Sequence, residues 1–143
     1  MTVARILAEK GREVYTTHPH RTLKEVIDLL AARGVGAVVV ADASMSVLGI
    51  LSERDVVRVL AQHGAGALDD QVSRYMTAKV TTVTREETID RVMQTMTEGR
   101  FRHLPVVEDG RLIGLVSIGD VVKRHVGALD GERQALREYI AAA

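Results

Sequence analysis

Residues 49–55, GILSERD, return at 114–120 as GLVSIGD, and each copy closes a segment of similar hydrophobic pattern. Further upstream the copies match at an offset of 66 residues, which aligns Thr22 with Thr88 and Val40 with Val106. The first copy has one extra residue between Val40 and its motif, in a turn, where a change of length is tolerated. The chain is therefore a tandem repeat, and the repeated unit determines its fold.

The apolar spacing predicts the same elements in each copy. Helix 22–33 has apolar residues at i, i+3, i+4 and i+7, as one buried helical face requires. Thr22 and Glu25 predict a capping box at its start, and Asp109-Gly110 predicts a hairpin turn in the second copy. In the first copy the extended piece, the helix, the two strands and the second helix are predicted at 14–17, 22–33, 35–41, 47–51 and 52–62. We expect an α+β fold with βαββα order in each repeat.

The same pattern divides the chain into four segments. We assign 2–63 to the first repeat with a lead-in helix, 64–71 to a linker, 72–127 to the second repeat and 128–143 to an additional C-terminal helix. The last segment has no counterpart in the first repeat and carries Leu129, Leu136 and Ile140 at helical spacing. The favoured interpretation packs this helix on its own domain, and the alternative is a contact between subunits.

Composition excludes several classes of function. Apolar residues make up 46% of the chain, but one Phe, three Tyr and no Trp leave few side chains to stack on nucleic-acid bases. Nineteen basic and nineteen acidic residues cancel, so no net field attracts DNA or an anionic membrane. The absence of cysteine excludes disulfides and thiolate chemistry. Because no segment has the length of a signal peptide or a membrane span, we expect a cytoplasmic protein without nucleic-acid or membrane partners.

The repeated Gly-x-x-Ser-x-x-Asp motif has two interpretations. Ser52 and Ser117 precede helices, where free backbone N–H groups and the helix dipole favour an anion such as phosphate. Asp55 and Asp120, three residues later, can accept hydrogen bonds from the paired hydroxyls of a ribose. Alternatively, each Ser and Asp form a capping box that only closes the helix end. The glycine at the start of the motif lets a ligand or another backbone approach closely. Two occurrences of the motif favour the ligand-site interpretation, although duplication of an ancestral helix cap would produce the same repeated motif.

With Leu104-Pro105-Val106-Val107 ahead of its second motif, the chain resembles a CBS domain pair over residues 2 to about 126. The resemblance implies two βαββα units packed through their sheets, with clefts for an adenosine-containing ligand: AMP, ADP, ATP, NAD(H) or S-adenosylmethionine. It also implies a non-catalytic regulatory module, with no required cofactor or metal, that forms a homodimer and signals to an unidentified partner protein.

The resemblance assigns roles by motif position. Asp55 and Asp120 would hold ribose hydroxyls, and Ser52 and Ser117 would face phosphate. Thr16 and Thr82 match positions that meet the adenine. The walls that enclose the base would include Gly36, Ala37 and Val38 in the first copy and Arg102, His103, Leu104 and Pro105 in the second. Additional phosphate contacts are predicted for Arg54, Lys79 and Arg102. The two clefts cannot be equal electrostatically, because Arg100, Arg102 and His103 replace Gly34, Gly36 and Ala37.

Three rival functions have distinct signatures. A nucleotide-using enzyme is disfavoured because Ser52 and Ser117 lack a Gly-x-Ser-x-Gly elbow and an obvious histidine partner. A structural dimerisation scaffold with vestigial clefts would show no thermal shift with adenine nucleotides. Nucleic-acid binding through Arg100, Arg102 and Arg111 would show salt-dependent retention on DNA.

Overall fold

The computed structural model describes residues 1–142 and confirms the predicted α+β class. The helices are α1 (Val3–Lys10), α2 (Leu23–Arg33), α3 (Glu53–His63), α4 (Ile89–Gly99) and α5 (Ile118–Ala142). The strands are β1 (Thr16–Thr17), β2 (Ala37–Ala41), β3 (Val47–Ser52), β4 (His103–Glu108) and β5 (Arg111–Ser117). Two short 3-10 helices, Ala65–Asp69 and Val72–Arg74, join the repeats. None of the helices within residues 1–142 has the length and hydropathy needed to span a bilayer.

The two repeats form sheets of different size. In the first repeat β1 runs parallel to β2, which pairs antiparallel with β3. In the second repeat only β4 and β5 pair as strands, and the opening segment makes a single bridge from Val83 to Val106. Pro105 explains the difference. It occupies the position of Val39, whose N–H donates to the Tyr15 carbonyl at 3.1 Å, and proline has no N–H to donate. The predicted opening strand of the second repeat is therefore missing.

Each lead-in segment packs on the other repeat. Val3, Ile6 and Leu7 of α1 belong to the core built around α4, β4 and β5, whereas Val72 and Met76 pack in the core of the first repeat. The motif glycines make this exchange possible. A Cβ at Gly114 would lie 2.8 Å from the Leu7 Cδ2 atom, and a Cβ at Gly49 would collide with the Met76 side chain. The group that comes close to each motif glycine is thus a side chain of a lead-in segment.

The predicted end of the second repeat and the predicted C-terminal helix form one continuous helix, α5. Its first turns contribute Val121 to the core, where that residue is fully buried. Leu129, Leu136 and Ile140 are 45%, 59% and 64% exposed, respectively. The predicted C-terminal helix is present, but its apolar residues are not packed on their own domain as the favoured interpretation expects. Ala143, at the end of the predicted segment, lies outside the described residues.

Two local predictions have different outcomes. Asp109 and Gly110 have φ angles of 52° and 76° between β4 and β5, which confirms a tight hairpin turn with two left-handed residues. Thr22 caps α2 by accepting the Glu25 N–H at 3.2 Å. The Glu25 carboxylate lies 3.4 Å from Arg21 Nη1 instead of returning to the cap, so the complete capping box predicted there does not form.

Candidate functional site

A cavity of about 490 Å³ lies between the two repeats, and we call it the open cleft. The first repeat contributes Gly36 and the junction of β3 with α3. The second repeat contributes the segment 79–81, the start of β4 and the junction of β5 with α5. This volume falls within the range of small-ligand pockets, about 300 to 1,000 Å³. A molecule bound there would contact both repeats at once.

The first motif forms a helix cap at the edge of the open cleft. Ser52 Oγ accepts the Asp55 N–H at 3.2 Å, and Asp55 Oδ2 accepts the Ser52 N–H at 2.8 Å and the Ser52 hydroxyl at 2.9 Å. Asp55 Oδ1 lies 3.3 Å from Nη1 of Arg58, a side chain that is 65% exposed. A carboxylate offers about four acceptor positions. The cap fills Oδ2, and only the exposed Arg58 side chain contacts Oδ1, so Oδ1 is the atom able to accept hydrogen bonds from a ligand. The capping and ligand interpretations are thus compatible at this motif.

The second motif forms the same cap but has an additional partner. Asp120 Oδ2 accepts the Ser117 N–H at 2.9 Å and also the Lys10 Nζ at 2.6 Å. Lys10 donates to the Leu115 carbonyl as well, at 2.9 Å. Burial raises the pKa of Asp120, but hydrogen bonds from Lys10 and Ser117 outweigh it and hold the pKa below its ordinary value. We call the region around this ion pair the closed cleft, because a cation of the chain already occupies the carboxylate.

The exchange of lead-in segments explains why only one motif carries this ion pair. Lys10 is the last residue of α1, which packs on the second repeat and so brings the ammonium group to Asp120. At the offset of 66 residues, the counterpart of Lys10 in the other lead-in segment is Met76. Met76 is apolar and packs against Gly49. Asp55 therefore has no matching lysine on its lead-in segment.

Positive side chains surround the open cleft. Its wall contains two carboxylates, Glu53 and Asp55, and the five cationic side chains of Arg54, Arg58, Lys79, Arg100 and Arg102. Clustered guanidinium groups suit phosphate, which they can bind through paired, charge-assisted hydrogen bonds. The cleft thus joins a carboxylate suited to hydroxyl groups with cations suited to an anion.

Arg100 has a strained backbone at the end of α4. Its φ and ψ angles are 57° and 36°, and its counterpart in the first repeat is Gly34, with 62° and 36°. The left-handed conformation costs a non-glycine residue roughly 1 kcal/mol or more. Strain of this kind is concentrated at functional sites, and Arg100 lines the cleft.

His103 lies between the two repeats at the start of β4. A Cβ on Gly36 would lie 3.2 Å from its Nε2 atom, so the absence of a side chain at Gly36 makes room for the imidazole. Burial lowers the pKa of His103, while Glu53 and Asp120 act in the opposite direction. The net shift is downward, so the ring is predominantly neutral at pH 7. A neutral imidazole can pack beside a flat base without adding charge.

The open cleft collects nine of the fifteen residues predicted to bind ligand, which are Gly36, Ser52, Arg54, Asp55, Lys79, Arg102, His103, Leu104 and Ser117. The other six do not line it. Ala37, Val38 and Pro105 are buried in their strands, and Thr16 lies in β1. Thr82 follows the lining segment, and Asp120 is paired with Lys10.

Several lining residues are missing from the predicted set. Arg58 could have been found from its spacing, because a residue three positions after Asp55 shares its helix face. Arg100 could have been found as an arginine at the helix-ending position that is glycine in the first copy. Thr77 carries no such local signal: it reaches the cleft because its backbone pairs with Ile50 at 3.0 Å.

Two interlocked α+β repeats with a charged cavity between them define a module of paired repeats. The chain belongs to the CBS domain family, whose model matches residues 4–62 and 72–127. This match confirms the resemblance drawn from the repeated motif.

Two solved structures have the same fold, and one further relative matches by sequence. A crystal structure of a CBS-domain containing protein from Agrobacterium tumefaciens is 48% identical, has a TM-score of 0.82, and aligns over 85% of this chain and 91% of that one. A CBS domain protein from Pyrobaculum aerophilum, solved in complex with AMP, is 26% identical with a TM-score of 0.75, over 84% of this chain and 89% of that one. A mitochondrial CBS domain-containing protein of Arabidopsis thaliana is 38% identical over 123 residues, which are 83% of this chain but 60% of the relative.

Proposed function

We propose that the chain is a non-catalytic regulatory module that binds one adenine nucleotide in the open cleft and signals this binding to a partner protein. The observation that carries the proposal is the position of Asp55, whose Oδ1 atom is not used by its cap, beside five cationic side chains. The Pyrobaculum aerophilum relative, which binds AMP, supports an adenosine ligand. No cofactor is required for such a role.

Charge narrows the choice among adenosine ligands. In the proposed complex Asp55 accepts the ribose hydroxyls, the neutral His103 packs beside the base, and arginines bind the phosphates. Five cationic groups against two carboxylates leave the cleft with a positive surplus. Anionic ligands such as AMP, ADP, ATP or NAD(H) are favoured over S-adenosylmethionine, whose sulfonium is positive, and added phosphates raise affinity by adding charge-assisted hydrogen bonds.

The signal arises from the position of the cleft between the repeats. A ligand that contacts both repeats changes their packing only if it binds two arrangements with different affinity. Each lead-in segment is packed on the other repeat, so a shift between the repeats also moves α1 and Val72–Arg74. We propose that a partner protein reads this shift, and that the module works as a cytoplasmic homodimer.

Isothermal titration calorimetry with adenosine, AMP, ADP, ATP and NADH tests the proposal directly. We expect about one nucleotide per chain, tighter binding with each added phosphate, and a loss of affinity at high salt because the phosphates pair with exposed cations. Absence of binding and of any thermal shift would identify a scaffold with vestigial clefts. Turnover of nucleotide by the purified protein would identify an enzyme.

Lys10→Met is expected to open a second binding site. The substitution makes residue 10 identical to its counterpart Met76 in the other lead-in segment. It also removes the ion pair from Asp120. Titration calorimetry should then show a stoichiometry of about two nucleotides per chain, the second weaker. Because the pair is partly exposed, its loss costs at most about 1 kcal/mol of stability. Lys10→Arg is the matched control and should keep one site. Two sites in the unaltered protein would contradict the closed cleft.

A further inference from the structure

The exposed part of α5 carries an apolar seam with the spacing of a coiled coil. Successive steps of four, three, four, three and four residues connect Val122, Val126, Leu129, Arg133, Leu136 and Ile140. The five apolar members are 43%, 49%, 45%, 59% and 64% exposed, in chain order. An alternation of three and four is the spacing of the heptad repeat, in which the seam positions a and d face a partner helix. The seam thus predicts a helical partner of the same period.

We propose that this seam binds the α5 helix of a second copy of the chain in a parallel coiled coil. The heptad places Val126, Arg133 and Ile140 at a, and Val122, Leu129 and Leu136 at d. β-branched residues at a with leucine at d are the pattern that favours parallel two-stranded coiled coils. This coiled coil is the interface of the homodimer proposed above, and its formation does not require nucleotide binding.

The flanking charges select the parallel orientation. In a parallel pair, Glu132 at position g lies opposite Arg137 at position e of the second copy, and symmetry forms this attractive pair twice. An antiparallel pair that sets Val126 opposite Leu136 would bring Asp130 beside Asp130 at the e positions and Glu132 beside Glu132 at the g positions, about two residues out of register. Like charges this close across the seam destabilise the association. In the parallel arrangement, Glu132 instead lies opposite the positive charge of Arg137.

The seam also predicts moderate affinity. From Val122 to Ile140 it covers 19 residues, about 27 Å of helix. Arg133 is the polar member, and a polar residue at one a position fixes register and oligomeric state while lowering stability. Glu132, adjacent on the chain, provides an acceptor for the guanidinium of the second copy. We therefore expect a reversible dimer whose population rises with protein concentration.

Cysteine crosslinking tests the orientation. The chain contains no cysteine, so Leu136→Cys introduces one thiol per copy at a d position. In the parallel coil the two thiols face each other, and mild oxidation should produce a disulfide-linked dimer. Gln134→Cys, at the outer position b, is the matched control and should remain largely monomeric in a denaturing gel. Equal crosslinking of the two variants, or none with Leu136→Cys, would overturn the parallel seam.

Charge exchange tests the interface itself. Sedimentation of the full chain should show a dimer whose dissociation constant rises about tenfold in Arg137→Glu, because two attractive pairs become repulsive. The double variant Glu132→Arg/Arg137→Glu restores opposite charges and should recover the original constant. Glu138→Arg, at the outer position f, is the matched control and should change it less than twofold. A monomeric protein, or a dimer indifferent to Arg137→Glu, overturns the inference, and nucleotide titration of the same samples reports on the cleft separately.

Discussion

Asp55→Ala is expected to lower the affinity of the chain for ADP by about a hundredfold. The physical reason is the loss of two hydrogen bonds from ribose hydroxyls to an ionised carboxylate, each contributing about 1.5 kcal/mol. Together they contribute about 3 kcal/mol, which corresponds to about two decades in the dissociation constant. Isothermal titration calorimetry of the folded variant measures the effect. Unchanged affinity would show that Asp55 acts only as a helix cap.

Asp120→Ala is the control because it removes the same carboxylate half of the capping box from the second repeat. Asp55 and Asp120 each accept the backbone N–H of the serine three residues earlier, at 2.8 and 2.9 Å. Loss of this contact is expected to cost about 1 kcal/mol in either variant. Asp120→Ala also breaks the ion pair with Lys10, so it should melt somewhat lower than Asp55→Ala. Only Asp55 lines the open cleft, so Asp120→Ala should change ADP affinity less than twofold. A large loss in both variants would place the ligand across both motifs.

The repeated motif predicted the part of the site that depends on local sequence. The strand, serine, helix and aspartate are close neighbours along the chain, so their hydrophobic pattern and capping chemistry position them without reference to the rest of the fold. The structure confirms the helix starts after Ser52 and Ser117 and the hairpin at Asp109-Gly110. Helix starts and tight turns are decided by a few consecutive residues.

The differences between the two clefts depend on long-range packing that the local pattern does not encode. Lys10 and Asp120 are 110 residues apart in sequence, and only the packing of α1 on the second repeat brings them within 2.6 Å. Leu7 reaches Gly114 through the same exchange. By contrast, the missing opening strand of the second repeat could have been predicted from the sequence. Pro105 occupies the position of Val39, and a proline there removes one ladder hydrogen bond.

Arg100→Gly should separate the stability of the fold from its affinity for phosphate. Arg100 occupies a left-handed position with φ of 57°, where the first repeat has Gly34. Glycine adopts this conformation without steric cost, so the variant should gain about 1 kcal/mol of stability. For a chain of this size the melting temperature should rise by about 3 °C. Such a gain would show that Arg100 strains the local backbone and lowers the stability of the fold.

The same variant should bind ADP about tenfold more weakly, because it removes one charge-assisted hydrogen bond worth roughly 1.5 kcal/mol. Thermal melting and calorimetry on one preparation measure the two changes together. Gly34→Arg is the reciprocal control, since it imposes the left-handed strain on the first repeat, at a residue outside the open cleft, and should lower stability without weakening binding. If Arg100→Gly stabilises the protein but leaves affinity for ADP intact, Arg100 has no part in phosphate recognition. If affinity for ADP falls while stability rises, the strained backbone serves to hold the Arg100 guanidinium at the cleft. The presence of arginine in one repeat and of glycine, Gly34, in the other would then identify the open cleft as the functional one.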